Sequence, residues 1–414
     1  MKFVNTAIGT ALGLALASAS PVLAQAPAPA AAAPAQAAPR PLKLSPQAQK
    51  AIIDLQTAVK AKNVAAIPGL VAAAQALAKV PDDRYAIASL QLQAAIDADD
   101  NTALVAAADA MRANGAPGPD LIRIYLHAGQ KFGIAQQYGM ATNALDKAIS
   151  LDPNNTDALL LKSDLLLKQK LNGPSVEALT QAIARQKATG VAVPESWYQA
   201  AVARSYEAKL PATYELSRQW VSAYPTPTHW RDAINIYRNM SGAERPALID
   251  LFRLARVTKA LGGESDYLPF AEALIARGYP GEAVAVLQEG AAANSISLQS
   301  VTLARTFALA KGKSIGDRAS AATAAKTALA GATGKPAMLV GDRLLGYGDY
   351  AQAAALYRVA IGKADADQDL VNLRLGEALA QSGDKAGAIA ALKAVGPGQA
   401  EIAKYWLAWV SSRA

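Results

Sequence analysis

Ile122–Asn155 reads IRIYLHAGQKFGIAQQYGMATNALDKAISLDPNN, and its spacing predicts two helices packed as a hairpin. Tyr125, Ala128, Gly129 and Phe132 fall at i, i+3, i+4 and i+7, so one helix face carries two large and two small residues. Gly129 marks the point of closest approach, where any side chain would hold the second helix away. On that second helix Ala141, Leu145 and Ala148 repeat at helical spacing, and Pro153 cannot continue the helix ending at Leu151.

These positions follow the tetratricopeptide pattern: a large residue, a small pair and an aromatic on the first helix, then Ala, Leu, Ala and a closing Pro. The stretch therefore resembles a tetratricopeptide repeat unit. The next places hold Leu159, Ser163, Leu166, Ser175, Leu179 and Ala182, and then come Trp197, Ala200 and Ala201 with the closing Pro225. Trp230, Ala233, Ile234 and Tyr237 lead another pair, followed by Tyr267, Phe270, Ala271, Leu274, Gly278, Ala283 and Leu287. The match sharpens again at Gly341, Leu344, Gly348, Ala353, Tyr357 and Ala360, and at Gly376, Leu379, Gly383, Ala388 and Leu392.

The resemblance covers about Leu121–Val395 and implies an all-α, right-handed α-solenoid of about ten antiparallel helix pairs. One pair cannot stand alone. It buries about six apolar side chains worth ~1.5–3 kcal/mol each, against ~1 kcal/mol or more of backbone entropy for each of ~34 residues. Residues 45–120 carry helical periodicity with a weaker repeat match, and residues 399–414 form a capping helix whose Trp406 and Trp409 cover the last apolar face. One superhelix from residue 45 onward is expected, with a boundary near Gly312–Thr333 as the alternative.

Met1–Ala24 has Lys2, an apolar stretch from Ala7 to Ala19, and Val22-Leu23-Ala24 before a cleavage point, the layout of a secretory signal peptide. The apolar stretch is shorter than the ~20 residues of a membrane span, so cleavage after Ala24 is expected and an uncleaved anchor is the alternative. Residues 25–44 form an Ala/Pro-rich linker, extended because frequent prolines forbid helix. The protein is thus expected in the periplasm or outside the cell, with no stable membrane span once the signal is removed. The chain has no cysteine, which excludes disulfides and a lipidated N-terminal Cys.

Little in the sequence points to catalysis. Only His127 and His229 are available as imidazoles, so no metal or nucleophile site is expected, and no cofactor motif survives inspection. Gly346-Tyr347-Gly348 imitates a dinucleotide signature but lies between helices with no strand before it. Glu195-Ser196 resembles the opening of the lytic transglycosylase motif, but Trp197–Ala203 continues as repeat helix where a glycine-rich stretch is required.

Binding is the remaining expectation. In the tetratricopeptide family, first-helix residues between the packing positions line the concave face. The resemblance carries that role to Tyr198, Tyr206, Arg231, Asn235, Arg238, Asn239, Arg374 and Glu377. Arg231, Asn235, Arg238 and Asn239 stand at i, i+4, i+7 and i+8, one helix face able to hold a carboxylate or a peptide backbone. The expected ligand is a protein or an extended peptide of the cell envelope, bound by a non-catalytic scaffold. The alternative is an accessory that binds envelope polysaccharide. The net charge of +8 is spread along the chain, which suits weak attraction to anionic polysaccharide and gives no nucleic-acid signature.

Overall fold

The structure, a computed structural model, describes residues 42–242 and 248–413. The expected signal peptide and the linker up to Pro41 lie outside the described residues. Among the described residues there are 21 helices and no strand. In chain order they are α1 Pro46–Lys60, α2 Ile67–Leu77, α3 Pro81–Asp97, α4 Asn101–Ala113, α5 Gly118–Ile134, α6 Tyr138–Leu151 and α7 Thr156–Lys168. Then come α8 Asn172–Ala188, α9 Glu195–Glu207, α10 Ala212–Ala223, α11 Pro227–Ser241, α12 Leu248–Val257, α13 Glu264–Ala276 and α14 Pro280–Ala292. The last are α15 Val301–Ser314, α16 Asp317–Ala330, α17 Gly334–Gly346, α18 Tyr350–Ala360, α19 Gln368–Ser382, α20 Lys385–Lys393 and α21 Ala400–Ser412. Consecutive helices pack against one another in adjacent pairs, the arrangement of an α-solenoid.

The unit quoted first is α5 and α6. Tyr125, Ala128, Phe132, Ala141, Leu145 and Ala148 are all buried between them or against neighbours. A Cβ on Gly129 would lie 2.8 Å from Leu145 Cδ2, so the close approach read from the sequence is real. In the next unit Ser163 and Ser175 stand at the places of Gly129 and Ala141. Each donates its hydroxyl to the other's carbonyl, at 2.7 and 2.8 Å, which replaces bare contact by a reciprocal hydrogen-bonded clasp.

The turn inside the hairpins recurs as well. Gln137 N donates to Phe132 O at 2.8 Å and Leu171 N to Leu166 O at 2.9 Å, each across a left-handed residue, Gln136 or Lys170. Later units place glycine at that step, as at Gly278, Gly348 and Gly383, where a positive φ carries no Cβ penalty.

At the N-terminal end Asp83 ties the entering chain to α3. Its carboxylate accepts from Ser45 N and Oγ at 2.8 and 2.6 Å, from Lys79 N at 2.9 Å and from Val80 N at 3.2 Å. Burial alone would raise its pKa, but these hydrogen bonds outweigh it and hold the carboxyl below its ordinary value.

The C-terminal half departs from a simple open stack. Helix α21 packs on α20, as an end cap should, but also on α10, α12 and α19. Tyr405 Oη lies 2.7 Å from Ser217 Oγ, Arg218 Nη1 donates to Glu401 Oε2 at 2.5 Å, and Trp406 Nε1 donates to the carbonyl of Asp250 at 3.0 Å. Helix α14 meanwhile packs directly on α17. Contacts thus run from α10 through α14 to α17–α21 and back to α10, a closed circuit with α15 and α16 on its outside. One apolar cluster runs through it, from Val221 to Val410.

Candidate binding surfaces

Inside the circuit the chain buries a network of charges. Arg374 on α19 reaches Asp250 on α12, with Nε to Oδ1 at 3.0 Å and Nη2 to Oδ2 at 3.2 Å, while its Nη1 donates to Asp342 Oδ2 on α17 at 2.7 Å. Asp342 also accepts from Tyr279 and Tyr357, at 2.7 and 2.8 Å. Arg253 donates to Asp250 Oδ1 at 3.0 Å and makes a two-pronged pair with Glu282, at 3.0 and 2.7 Å. Such fork-to-carboxylate geometry is what permits guanidinium groups to be buried.

Glu377 lies in this network with neither carboxylate oxygen hydrogen-bonded to protein, Oε2 being 3.7 Å from Arg253 Nη1. Burial, then the nearby Asp250 charge, push its pKa well above the ordinary carboxyl value, against the pull of Arg253 and Arg374. Burial also opposes ionisation of Asp250, yet the Coulomb attraction of Arg374 and Arg253 prevails and keeps its pKa low.

The structure separates the sequence-derived candidates. Tyr198 is 1% exposed and packs in a core cluster between α8, α9 and α10. Arg374 is 5% and Glu377 0% exposed, both inside the charged network. Arg374 and Glu377 are thereby closed to a ligand, whereas Tyr198, though buried, lies in the lining of a cleft with Lys187, Arg218 and Lys404. The helix-A positions of Arg374 and Glu377 do face inward, but there the inside is filled by α21 and the buried ion pairs.

Five candidates stay near the surface on α9 and α11. Tyr206 Oη accepts from Asn239 Nδ2 at 3.2 Å, which brings those two together. Arg231 donates to the carbonyls of Ala260 and Leu261, at 2.8 and 3.5 Å. Arg238 donates to Asn235 at 3.3 Å and to Asp266 at 3.1 Å, with its guanidinium over the Phe252 ring. The two arginines therefore brace α11 against the α12–α13 region, leaving Tyr206, Asn235 and Asn239 as the freer polar edge.

Glu195 is likewise engaged. Its Oε1 accepts from Trp220 Nε1 at 3.2 Å and lies 3.1 Å from His229 Nε2, whose ring stacks on Trp220 and whose Nδ1 is 2.8 Å from Tyr224 O. This cluster joins α9, α10 and α11. Among the described residues no group of three or more His, Cys, Asp or Glu side chains is disposed to hold a metal ion.

A surface that the sequence reading did not single out lies among α1–α4. A half-open cleft of about 600 Å³ is walled by Val59, Ile67, Pro68, Val71, Ala94 and Ala95. Lys62, Gln75, Gln91 and Asp97 are also among its lining residues. The reason is local. Helix α2, IPGLVAAAQAL, is apolar nearly throughout, yet Ala74 is its one buried residue, because α1 packs directly on α3 and leaves α2 tilted to the side. The available signal was the run of apolar residues without a polar face, at an array end where a polar cap is usual.

The fold thus defines a helical repeat protein of the α-solenoid kind. No family model and no curated protein matches the chain. Among solved structures, one described as a functional characterization of PilF from Pseudomonas aeruginosa aligns at 13% identity over 69% of this chain and 96% of that chain. Its TM-score of 0.22 is too low to define a shared fold.

Proposed function

We propose that the protein is a non-catalytic, tetratricopeptide-like scaffold, exported to the periplasm or beyond, that holds an envelope protein or extended peptide. The observation that carries this reading is the cleft among α1–α4, with apolar walls, polar residues among them and a volume within the range of ligand sites. Tyr206, Asn235 and Asn239 on α9 and α11 offer a second, polar surface to such a partner. Peptide is favoured over polysaccharide because, among the described residues, the exposed large hydrophobic side chains include no aromatic ring for a sugar to stack on.

The test is peptide display against the chain lacking residues 1–24, with affinities of selected peptides read by fluorescence anisotropy. Ala72 lines the cleft and is exposed, so Ala72→Trp fills the cleft without disturbing the core. It should weaken binding at least about tenfold, since it displaces an apolar side chain worth ~1.5–3 kcal/mol. Selected peptides indifferent to Ala72→Trp would contradict the assignment to this cleft. Periplasmic fractionation with N-terminal sequencing of the mature protein tests the export.

A further inference from the structure

Helices α15 and α16 stand outside the closed circuit, and their outward side combines two features seldom found together. The first is exposed apolar bulk. Leu303, Phe307 and Ala310 turn α15 toward the core and Leu309 lines a cleft against Ile275 of α13, whereas Val301 at the start of the helix and Ile315 just past its end are 78% and 83% exposed.

The second feature is charge. Residues 296–333 contain Arg305, Lys311, Lys313, Arg318 and Lys326 against a single acid, Asp317. Asp317 turns inward, bonded to Arg343 and to Tyr347 at 2.6 Å, so it does not offset the tip. Arg318 pairs with Asp349, whereas Arg305, Lys311, Lys313 and Lys326 are exposed and make no ion pair among the described residues. The tip sequence Lys311-Gly312-Lys313-Ser314-Ile315-Gly316 therefore presents a bare isoleucine beside two free ammonium groups.

From this juxtaposition we infer that the α15–α16 segment docks on the surface of an anionic lipid bilayer, with Ile315 and Val301 entering the headgroup layer and the lysines meeting lipid phosphates. Apolar side chains flanked by basic ones are what an interfacial helix requires. A second copy of the chain fits poorly, because its own segment brings the same positive charge. A soluble polyanion would satisfy the lysines but leave Ile315 in water. The circuit itself is closed without this segment, by direct α14–α17 contact and, just before α14, by Tyr279 Oη donating to Asp342 at 2.7 Å.

The experiment is flotation of the chain lacking residues 1–24, a deletion that removes no described residue, with vesicles of phosphatidylcholine alone or of equal parts phosphatidylcholine and phosphatidylglycerol. Binding to the anionic vesicles only is expected, weakening with salt. Lys311→Gln with Lys313→Gln should lower the partition coefficient about thirtyfold, taking about fivefold for each positive charge. Ile315→Ser should lower it about tenfold, and circular dichroism of both variants should match the parent. Equal binding to neutral vesicles, or anionic binding indifferent to these substitutions, would overturn the inference. So would dimerisation through this segment in sedimentation, or capture by dextran sulfate that competes fully while Ile315→Ser has no effect.

Discussion

The guanidinium of Arg374 clasps the carboxylate of Asp250, 124 residues earlier in the chain, through two hydrogen bonds of 3.0 and 3.2 Å. A solenoid whose units touch only their sequence neighbours makes no such contact. The pair, with Trp406 donating to the carbonyl of Asp250, records that the C-terminal half folds back on itself.

Arg374→Met removes the partner shared by Asp250 and Asp342 while keeping most of the side-chain volume. Two buried carboxylates then lack compensation, and a loss of about 3–5 kcal/mol is expected. Urea unfolding followed by circular dichroism measures it. A loss within about 0.5 kcal/mol, as for an ordinary surface change, would show that the network is solvated.

Glu377 gives a pH signature. Its folded pKa lies above the 4.5 of a free carboxyl, so the folded state binds a proton that the unfolded state has released. The associated stability is fully present below the unfolded value and is lost as pH rises through the folded pKa. Glu377→Gln keeps the neutral shape at every pH. The variant should gain on the parent as pH rises from 4.5 through the folded pKa, and a difference that stays constant as pH rises above 4.5 would refute the assignment. Asp83 runs the other way: its depressed pKa means stability present above 3.8 and lost on acidification.

Gly129→Val drives a branched side chain into Leu145, where even a Cβ would sit at 2.8 Å. Overpacking of this kind costs about 1–3 kcal/mol. Thermal unfolding should shift accordingly, and the exposed, uncrowded Gly139 on α6 offers the control, since Gly139→Ala meets nothing within 4 Å.

Trp406→Ala empties a fully buried site on α21 and leaves the carbonyl of Asp250 without that donor. A cost of about 3–5 kcal/mol is expected, together with faster proteolysis near residue 400. If α21 were only an end cap, proteolysis would quicken at α20 and α21 while α10 stayed protected. Closure predicts that hydrogen exchange rises in α10 and α12 as well.

The repeat was legible in the sequence because its physics is local. Ala128, Gly129, Phe132, Ala141 and Leu145 meet within a single hairpin, so their spacing alone carries the contact. The same holds for Gly376 against Leu392. Closure was not legible. Nothing in Ala400–Ser412 says that Tyr405 will meet Ser217, 188 residues away, and Trp406 fits an end cap equally well. That miss explains the misplaced site residues. Arg374 and Glu377 were assigned by position to an open inner face, and the inner face is filled. Asp250, Arg253, Glu282 and Asp342 did leave a signal, namely lone charges inside apolar runs such as Leu248–Ala255. Such charges suit solvated positions equally well until the partners across the circuit are known. The α1–α4 cleft was missed because apolar α2 reads as core when its burial is unknown.

Closure decides which faces can bind, and the cysteine-free chain makes it directly measurable. Ser222 on α10 and Ser411 on α21 line the same cleft from opposite walls, so Ser222→Cys with Ser411→Cys takes a pair of spin labels for pulsed electron–electron distance measurement. The account predicts one narrow, short distance distribution. A distance of several tens of ångströms, as an open stack at about 8–10 Å between successive helices would give, would contradict it.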